Sequence, residues 1–452
     1  MQIKVWAAAA AVLLVAGCGG PKPEIPSQAQ KKDAGPPDTS NITIEGDASE
    51  PVNKTAMQAI ADLERYWAQN YPELYGEDFK QIFGGYFAVT ENSPPPPCTT
   101  EAAEVAGNAF YCSTEDVVAW DAQELLPDLQ SRFGDFVIPV VMAHEFGHAV
   151  QYRSNFTART ITSELQADCF AGAWARHAKE DGVFDVTAAD LDTALAGVLD
   201  LRDNPGTPAR DPNAHGSGFD RVGAFQDGYD NGLSRCKDYR DDDPMVLDLP
   251  FNDVEDAERE GNAPYDSIVN GVPYDIEDYF TQVYPELADG RQWAPLASIE
   301  PFAPATPPDC GGTPAEGYVL FYCVPDDTSP GTTWRACHRC TRRAATTPSP
   351  RCWPPSGGLA ALTRLGDESD EKTSTLRGDC LAGGYTASVI LYNRPDTSTY
   401  HISPGDLDEA IKALLVFRGE GDVERQGAGW ARVKAFREGV INGAQACLSY
   451  QA

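Results

Sequence analysis

Ala143-His144-Glu145-Phe146-Gly147-His148-Ala149-Val150-Gln151 is the stretch from which the rest of this chain is read. Residues four apart on a helix stand one turn apart on one face, so His144 and His148 can point at the same cation. Imidazole nitrogens suit a tetrahedral zinc, and Glu145, beside the first histidine, is placed to act as a base. A third ligand is required. Ser163-Glu164-Leu165-Gln166-Ala167-Asp168-Cys169 supplies Glu164, and Asp168 falls one turn further on the same helical face. Glu164 then completes a His-His-Glu set, and Asp168 accepts the free N–H of a ligating histidine. Ala167, Ala171, Gly172 and Ala175 are small, which lets this second helix lie close against the first. The competing reading is a solvated helix carrying two histidines by accident. The chain has only 6 histidines, so that spacing seldom arises by chance.

The start of the chain reads as an export signal. Met1 to Lys4, an apolar run from Val5 to Val15, and Ala16-Gly17-Cys18 form a leader too short to span a bilayer. Val15-Ala16-Gly17-Cys18 resembles a bacterial lipobox, which implies cleavage before Cys18 and lipid on its sulfur. Residues 1–18 are therefore expected to be a lipoprotein signal, and residues 19–54, rich in Pro, Ser, Asp, Gly and Lys, a disordered tether. This places the protein on the outer face of the cell membrane. The formal net charge of −33 argues against nucleic acid or anionic headgroups as partners. Oligomeric state is not legible.

The remainder is written twice. Leu63 to Leu74 returns as Ile276 to Leu287. Cys98, Phe110-Tyr111-Cys112 and Trp120 return as Cys310, Phe321-Tyr322-Cys323 and Trp334. Asp168-Cys169 returns as Asp379-Cys380, and Gly216 through Cys236 aligns without a gap to Gly427 through Cys447. Such recurrence in register marks a duplication. It predicts a working domain over 55–240, an acidic linker over 241–262, and a degenerate copy over 263–452. The second copy has Thr375 at the place of Glu164, and Pro354 to Leu359 at the place of the His-Glu helix.

Within that copy, Arg335 to Pro355 holds five Arg, three Cys and four Pro but no Asp or Glu, unlike its acidic surroundings. A locally shifted reading frame accounts for it better than a basic loop does. The repeat pairs Cys98 with Cys112, Cys169 with Cys236, Cys310 with Cys323 and Cys380 with Cys447. This leaves Cys337, Cys340 and Cys352 in the anomalous segment.

Periodicity places helices over about 55–69, 135–153, 161–179, 188–201 and 219–232, with Thr187 capping the fourth. Short aromatic and β-branched runs at Tyr86–Thr90, Phe110–Cys112 and Val117–Trp120 predict a small antiparallel sheet. The fold class expected is α+β, mainly helical, with a zincin-like metal helix pair.

At Phe110-Tyr111-Cys112, His144–Gln151, Glu164–Cys169 and His215-Gly216-Ser217 with Arg221, the first copy resembles the bacterial neutral zinc metallopeptidases. The resemblance spans roughly residues 106–236 and implies one Zn²⁺ held by His144, His148 and Glu164. It also implies Glu145 as base and Asp168 as partner of His144. The second copy departs from the pattern at every metal position. His215, before a Gly-Ser-Gly turn, is the candidate donor to the oxyanion; an exposed loop histidine is the other reading. The expected activity is peptide-bond hydrolysis of a peptide or protein substrate, with cell-wall peptides as another class. A non-enzymatic, zinc-stabilised interaction protein is the rival.

Overall fold

The computed structural model describes residues 37–302, 306–315, 318, 321–332, 354–394, 400–416 and 422–451. The leader, Cys18 and nearly all of the anomalous Arg335–Pro355 segment lie outside the described residues. Among the described residues no helix is long and apolar enough to cross a membrane.

The chain enters through β1 (Ile44–Glu45) and continues into α1 (Pro51–Tyr75). Pro51 opens this helix, where a missing N–H does no harm, and Gly76 closes it at φ 80°. Val52, Ala56, Ile60, Leu63, Trp67 and Tyr71 form its buried stripe. β2 (Gly85–Val89), β3 (Ala109–Cys112) and β4 (Val117–Asp121) complete a sheet of order β1-β2-β4-β3. The expectation of an antiparallel sheet is corrected: β1–β2 and β2–β4 are parallel, and only the β3–β4 hairpin is antiparallel. The reason is topological. α1 is the crossover between β1 and β2, and parallel neighbours need such a crossover. The tether is corrected too: Ile44 is buried and paired to Tyr86, so the ordered fold begins ahead of residue 55.

α2 (Leu125–Phe133) and α3 (Val137–Ser154) follow, split at Gly134. α3 is buried from Val137 to Ala143 and again at Phe146, Gly147, Ala149 and Val150, so it forms the hydrophobic axis of the half rather than a surface helix. α4 (Thr160–Glu180), α5 (Ala188–Asp200) and α6 (Gly218–Lys237) pack around it. Thr187 and Asp190 form a capping box on α5.

Glycine permits two close helix crossings in this half. A Cβ on Gly147 would stand 2.8 Å from the Ala167 Cα. Between α4 and α6 the backbones touch: a Cβ on Gly172 would lie 1.9 Å from the Phe225 carbonyl oxygen, and one on Gly228 would lie 1.8 Å from that of Cys169. The Cys169–Cys236 disulfide staples the same pair of helices. Cys98–Cys112, Cys310–Cys323 and Cys380–Cys447 are the other bridges.

A polar clamp joins α3 to the hairpin. Arg153 donates to both Asp116 carboxylate oxygens at 3.0 and 3.1 Å and to the Tyr111 hydroxyl at 3.2 Å, and that hydroxyl donates to Asp116 at 2.6 Å. The Arg153 and Asp116 side chains are buried and Tyr111 partly so, which holds the C-terminal end of α3 on the sheet edge.

The second half comprises α7 (Val254–Glu258), α8 (Tyr265–Leu287), short strand pairs between residues 301 and 332, α9 (Pro354–Leu365), α10 (Glu371–Ile390), α11 (Pro404–Val416), α12 (Asp422–Gln426), α13 (Gly429–Asn442) and α14 (Ala444–Cys447). Residues 268–447 contribute a core of their own around Ile276, Phe280, Trp293 and Leu381. Leu407, Ile411, Leu415, Val433 and Phe436, however, belong to the core of the first half. The stretch read as a linker is also packed down, with Val246, Leu247 and Leu249 against that core.

There the Leu247 N–H and the Ser217 hydroxyl both donate to Asp220 at the start of α6. Burial raises this carboxyl to about 7. A raised acid favours folding below its unfolded value near 4 and loses that contribution as pH climbs through 7. Asp220→Asn should therefore flatten the curve. Between pH 5 and 8 the parent should lose on the order of 1–3 kcal/mol of stability that the variant keeps. Urea unfolding at both pH values measures it, and parallel curves would refute the assignment.

Candidate metal centre

α3 and α4 carry the centre. His144 and His148 stand one turn apart on α3, and Glu164 projects from α4 across the close Gly147–Ala167 crossing. The Nε2 atoms of the two histidines are 3.1 Å apart. Glu164 Oε2 lies 3.3 Å from His144 Nε2, and its Oε1 lies 3.5 Å from His148 Nε2. Ligand atoms at zinc's usual 2.0–2.1 Å in a tetrahedral shell are about 3.3–3.4 Å apart. The three separations bracket that value, so the donors converge on one point with the spacing and chemistry that zinc takes.

The ligands are themselves held. His144 Nδ1 is 2.8 Å from Asp168 Oδ1. Asp168 in turn accepts from Arg221 Nε at 2.8 Å and Nη2 at 2.9 Å, while Arg221 Nη1 donates to the Leu201 carbonyl at 2.6 Å. His148 Nδ1 is 2.9 Å from Gln151 Oε1, and Gln151 is fixed by its amide donating to the Ser163 carbonyl at 2.6 Å. Both Nδ1 atoms thus face acceptors, which selects the tautomer leaving Nε2 free to ligate.

Electrostatics favour a cation here. Burial works against charge on His144, yet the carboxylates of Asp168 and Glu164 outweigh it and raise the imidazole. His148 is raised against its own burial, mainly by Glu164. Glu164 is held well below the carboxylate range despite burial, chiefly by His148 and His144. Glu145 differs: burial raises it and the two histidines only partly offset this. A cluster that binds protons this firmly is short of positive charge.

These groups open on a cleft of about 670 Å³. Ala109, Phe110 and Tyr111 of β3 form one wall; Val140, Val141, Val198 and Leu201 form an apolar side; Arg202 and His215 also line it. The outer edge of β3 pairs with no other strand among the described residues. His215 is placed in this cleft but half exposed, its Nδ1 3.2 Å from Asp203 Oδ1, and that hydrogen bond raises its pKa.

A model of the family described as "Putative neutral zinc metallopeptidase" matches residues 9–239, just over half of the chain. The chain belongs to this family. Among curated proteins, "Uncharacterized protein YpfJ" of Escherichia coli strain K12 is 31% identical over 198 residues, covering 38% of this chain and 66% of that protein. The chain thus spans just under two thirds of that relative's length. "Uncharacterized protein Mb2605" of Mycobacterium bovis is 27% identical over 223 residues, covering 43% of this chain and 73% of that protein. No solved structure matches.

Sequence reasoning gave Gln151, Arg221, Asp203 and Arg202 no role. Gln151, three residues past His148 and so on its helical face, carried a usable signal. Arg221 entered only through the family pattern, and Asp203 and Arg202 come from a distant segment that no spacing announces.

Proposed function

We propose that this protein is a zinc-dependent peptidase of the cell envelope, tethered by lipid on Cys18 and hydrolysing peptide bonds in the cleft above α3. The convergence of His144, His148 and Glu164 beside a buried, proton-avid Glu145 carries the reading. His144, His148 and Glu164 would hold the zinc. Bound there, zinc supplies Lewis acidity, polarising a carbonyl and easing deprotonation of water. Glu145 takes the proton from the attacking water and returns it to the leaving amine nitrogen; its raised pKa suits both transfers. Asp168 and Gln151 keep Nε2 of each histidine aimed inward. His215, its pKa raised by the hydrogen bond to Asp203, donates to the oxygen that gains charge. The free edge of β3 offers backbone groups to an extended chain. A structural metal site has no need of Glu145, which sets the scaffold reading aside.

The second half is a degenerate copy of the first. Arg432 grips Asp379 at 2.7 and 3.0 Å, as Arg221 grips Asp168. Arg364 and Tyr322 meet on Asp327 at 2.8 and 2.6 Å, repeating Arg153 and Tyr111 on Asp116. A Cβ on Gly383 would lie 1.9 Å from the Phe436 carbonyl, as one on Gly172 would from Phe225. The scaffold's polar and close-packed positions are kept and the metal ligands are not.

The test is zinc per chain in the parent and in Glu164→Ala. About one zinc in the parent and a 10–100-fold or greater weakening in the variant is expected. Equal zinc in both would remove Glu164 from the site, and none in the parent after incubation with excess metal would remove the site itself.

A further inference from the structure

The two halves meet by an exchange. Asp192 on α5 accepts from the Gly429 N–H at 2.9 Å and the Trp430 N–H at 2.6 Å, the first turn of α13. Asp408 on α11 accepts from the Phe219 N–H at 3.3 Å, and from Gly218, the first turn of α6. Gly429-Trp430 occupy in their copy the place of Gly218-Phe219. Asp408 likewise occupies the place of Asp192: Asp406 accepts from the Ser403 N–H before α11 as Asp190 accepts from the Thr187 N–H before α5, and each aspartate comes two residues after that acid. Each half therefore caps the other's helix with the same residue. Reciprocal contact, in which i meets j′ and j meets i′, is the rule of a two-fold axis. A carboxylate suits the positive end of a helix. Around this exchange the Trp430 ring packs 4.6 Å from Tyr229, and Lys434 pairs with Asp230 at 2.7 Å.

We propose that the second half sits on the first as a second copy would in an isologous dimer, and that its retained service is Asp408, which positions Arg202 in the cleft. Arg202 Nε donates to Asp408 Oδ2 at 2.7 Å and Nη1 to the Leu199 carbonyl at 3.1 Å, and neither bond uses Nη2. Asp408 is buried at 3% exposure, so it holds the guanidinium from behind while Arg202 lines the same cleft as His144 and Glu145. The metal ligands vanished from the second copy without harm because only the first copy works. Asp408 remained because the first copy leans on it. Sequence repeats the arrangement: Arg202 follows Asp192 by ten residues, as Arg418, outside the described residues, follows Asp408. The role of Nη2 is to engage an oxygen of the bound chain, and that clause alone rests on the peptidase reading.

Four full-length variants test it: Asp408→Asn, Asp192→Asn, Arg202→Gln and Asp408→Glu. In hydrogen exchange, Asp408→Asn should speed the Gly218 and Phe219 amides at least about tenfold and leave Gly429 and Trp430 unchanged, while Asp192→Asn should do the reverse. The Arg202 Nε–H resonance, assigned by its loss in Arg202→Gln, should be protected in the parent, lost in Asp408→Asn and partly restored in Asp408→Glu. With a peptide substrate, Asp408→Asn and Arg202→Gln should raise KM alike at little change in kcat and unchanged zinc content. Asp192→Asn should match the parent. Exchange that quickens at both helix starts in either single variant, or at neither, overturns the reciprocal seating. An Arg202 resonance indifferent to Asp408, or a KM that rises in Arg202→Gln alone, overturns the positioning role. A parent that binds zinc but cleaves nothing defeats the peptidase reading alone, and the exchange and resonance arms still decide this one.

Discussion

Glu145→Gln should bind zinc like the parent and lose peptide hydrolysis by roughly 10²–10⁴-fold, the usual contribution of a positioned proton-transfer group. The substitution is nearly isosteric, so the buried pocket around residue 145 stays filled. Neither His144 nor His148 loses its Nδ1 partner, since Asp168 and Gln151 are untouched. What disappears is a group able to take a proton from water and give it up again. Burial has raised the Glu145 carboxyl toward the range where both steps are accessible. Zinc content by mass spectrometry and initial rates on a peptide library measure the two halves of the expectation. A variant that cleaves at the parent's rate ends the role of Glu145 as base. A variant that loses zinc as well would show that the carboxylate holds the cluster rather than serving the reaction.

A large effect on folding is expected at Gly172. An alanine there would place its Cβ 1.9 Å from the Phe225 carbonyl oxygen and 2.8 Å from the carbonyl carbon. Both are backbone atoms of α6, and no rotamer change can move them aside. Overpacking usually costs about 1–3 kcal/mol, and a backbone-on-backbone clash lies at or above the top of that range. α4 and α6 are also fastened at Cys169–Cys236, so they cannot splay freely to make room. Separation would draw Arg221 off Asp168 and slacken His144 in turn. Gly172→Ala is expected to lower stability by more than about 3 kcal/mol and to weaken zinc binding without touching a ligand. Urea unfolding beside a zinc titration measures it. A variant as stable as the parent would mean that the two helices are further apart than described.

The metal helix pair was readable because its chemistry is written at helical spacing within short segments. Thr187 announced α5 for the same reason, its box being local. What failed to show was the identity of neighbours. Ile42-Thr43-Ile44 carries an alternating pattern, but inside a polar stretch two isoleucines do not declare that β1 will join β2 across a helix. Parallel pairing leaves no turn signature, whereas the β3–β4 hairpin does. Arg221 stood out only as part of the family pattern, without a role, and the α4–α6 crossing is what puts it on Asp168. The apolar face of α11 could serve either core equally well. Tertiary packing gives Leu407, Ile411 and Leu415 to the first half, and an amphipathic stripe does not specify its partner.

The clamp of Arg153, Tyr111 and Asp116 has a consequence for affinity. It fixes the edge strand to α3 before any chain arrives, through partly buried bonds that tie all three side chains together. A floppy rim would have to surrender rotamer and backbone freedom on each encounter, and that loss of entropy would be subtracted from every contact made. Here the clamp leaves the rim less to surrender. The ordering falls mainly on the incoming chain, so stiff or already extended segments should be bound more tightly than supple ones of equal contact area.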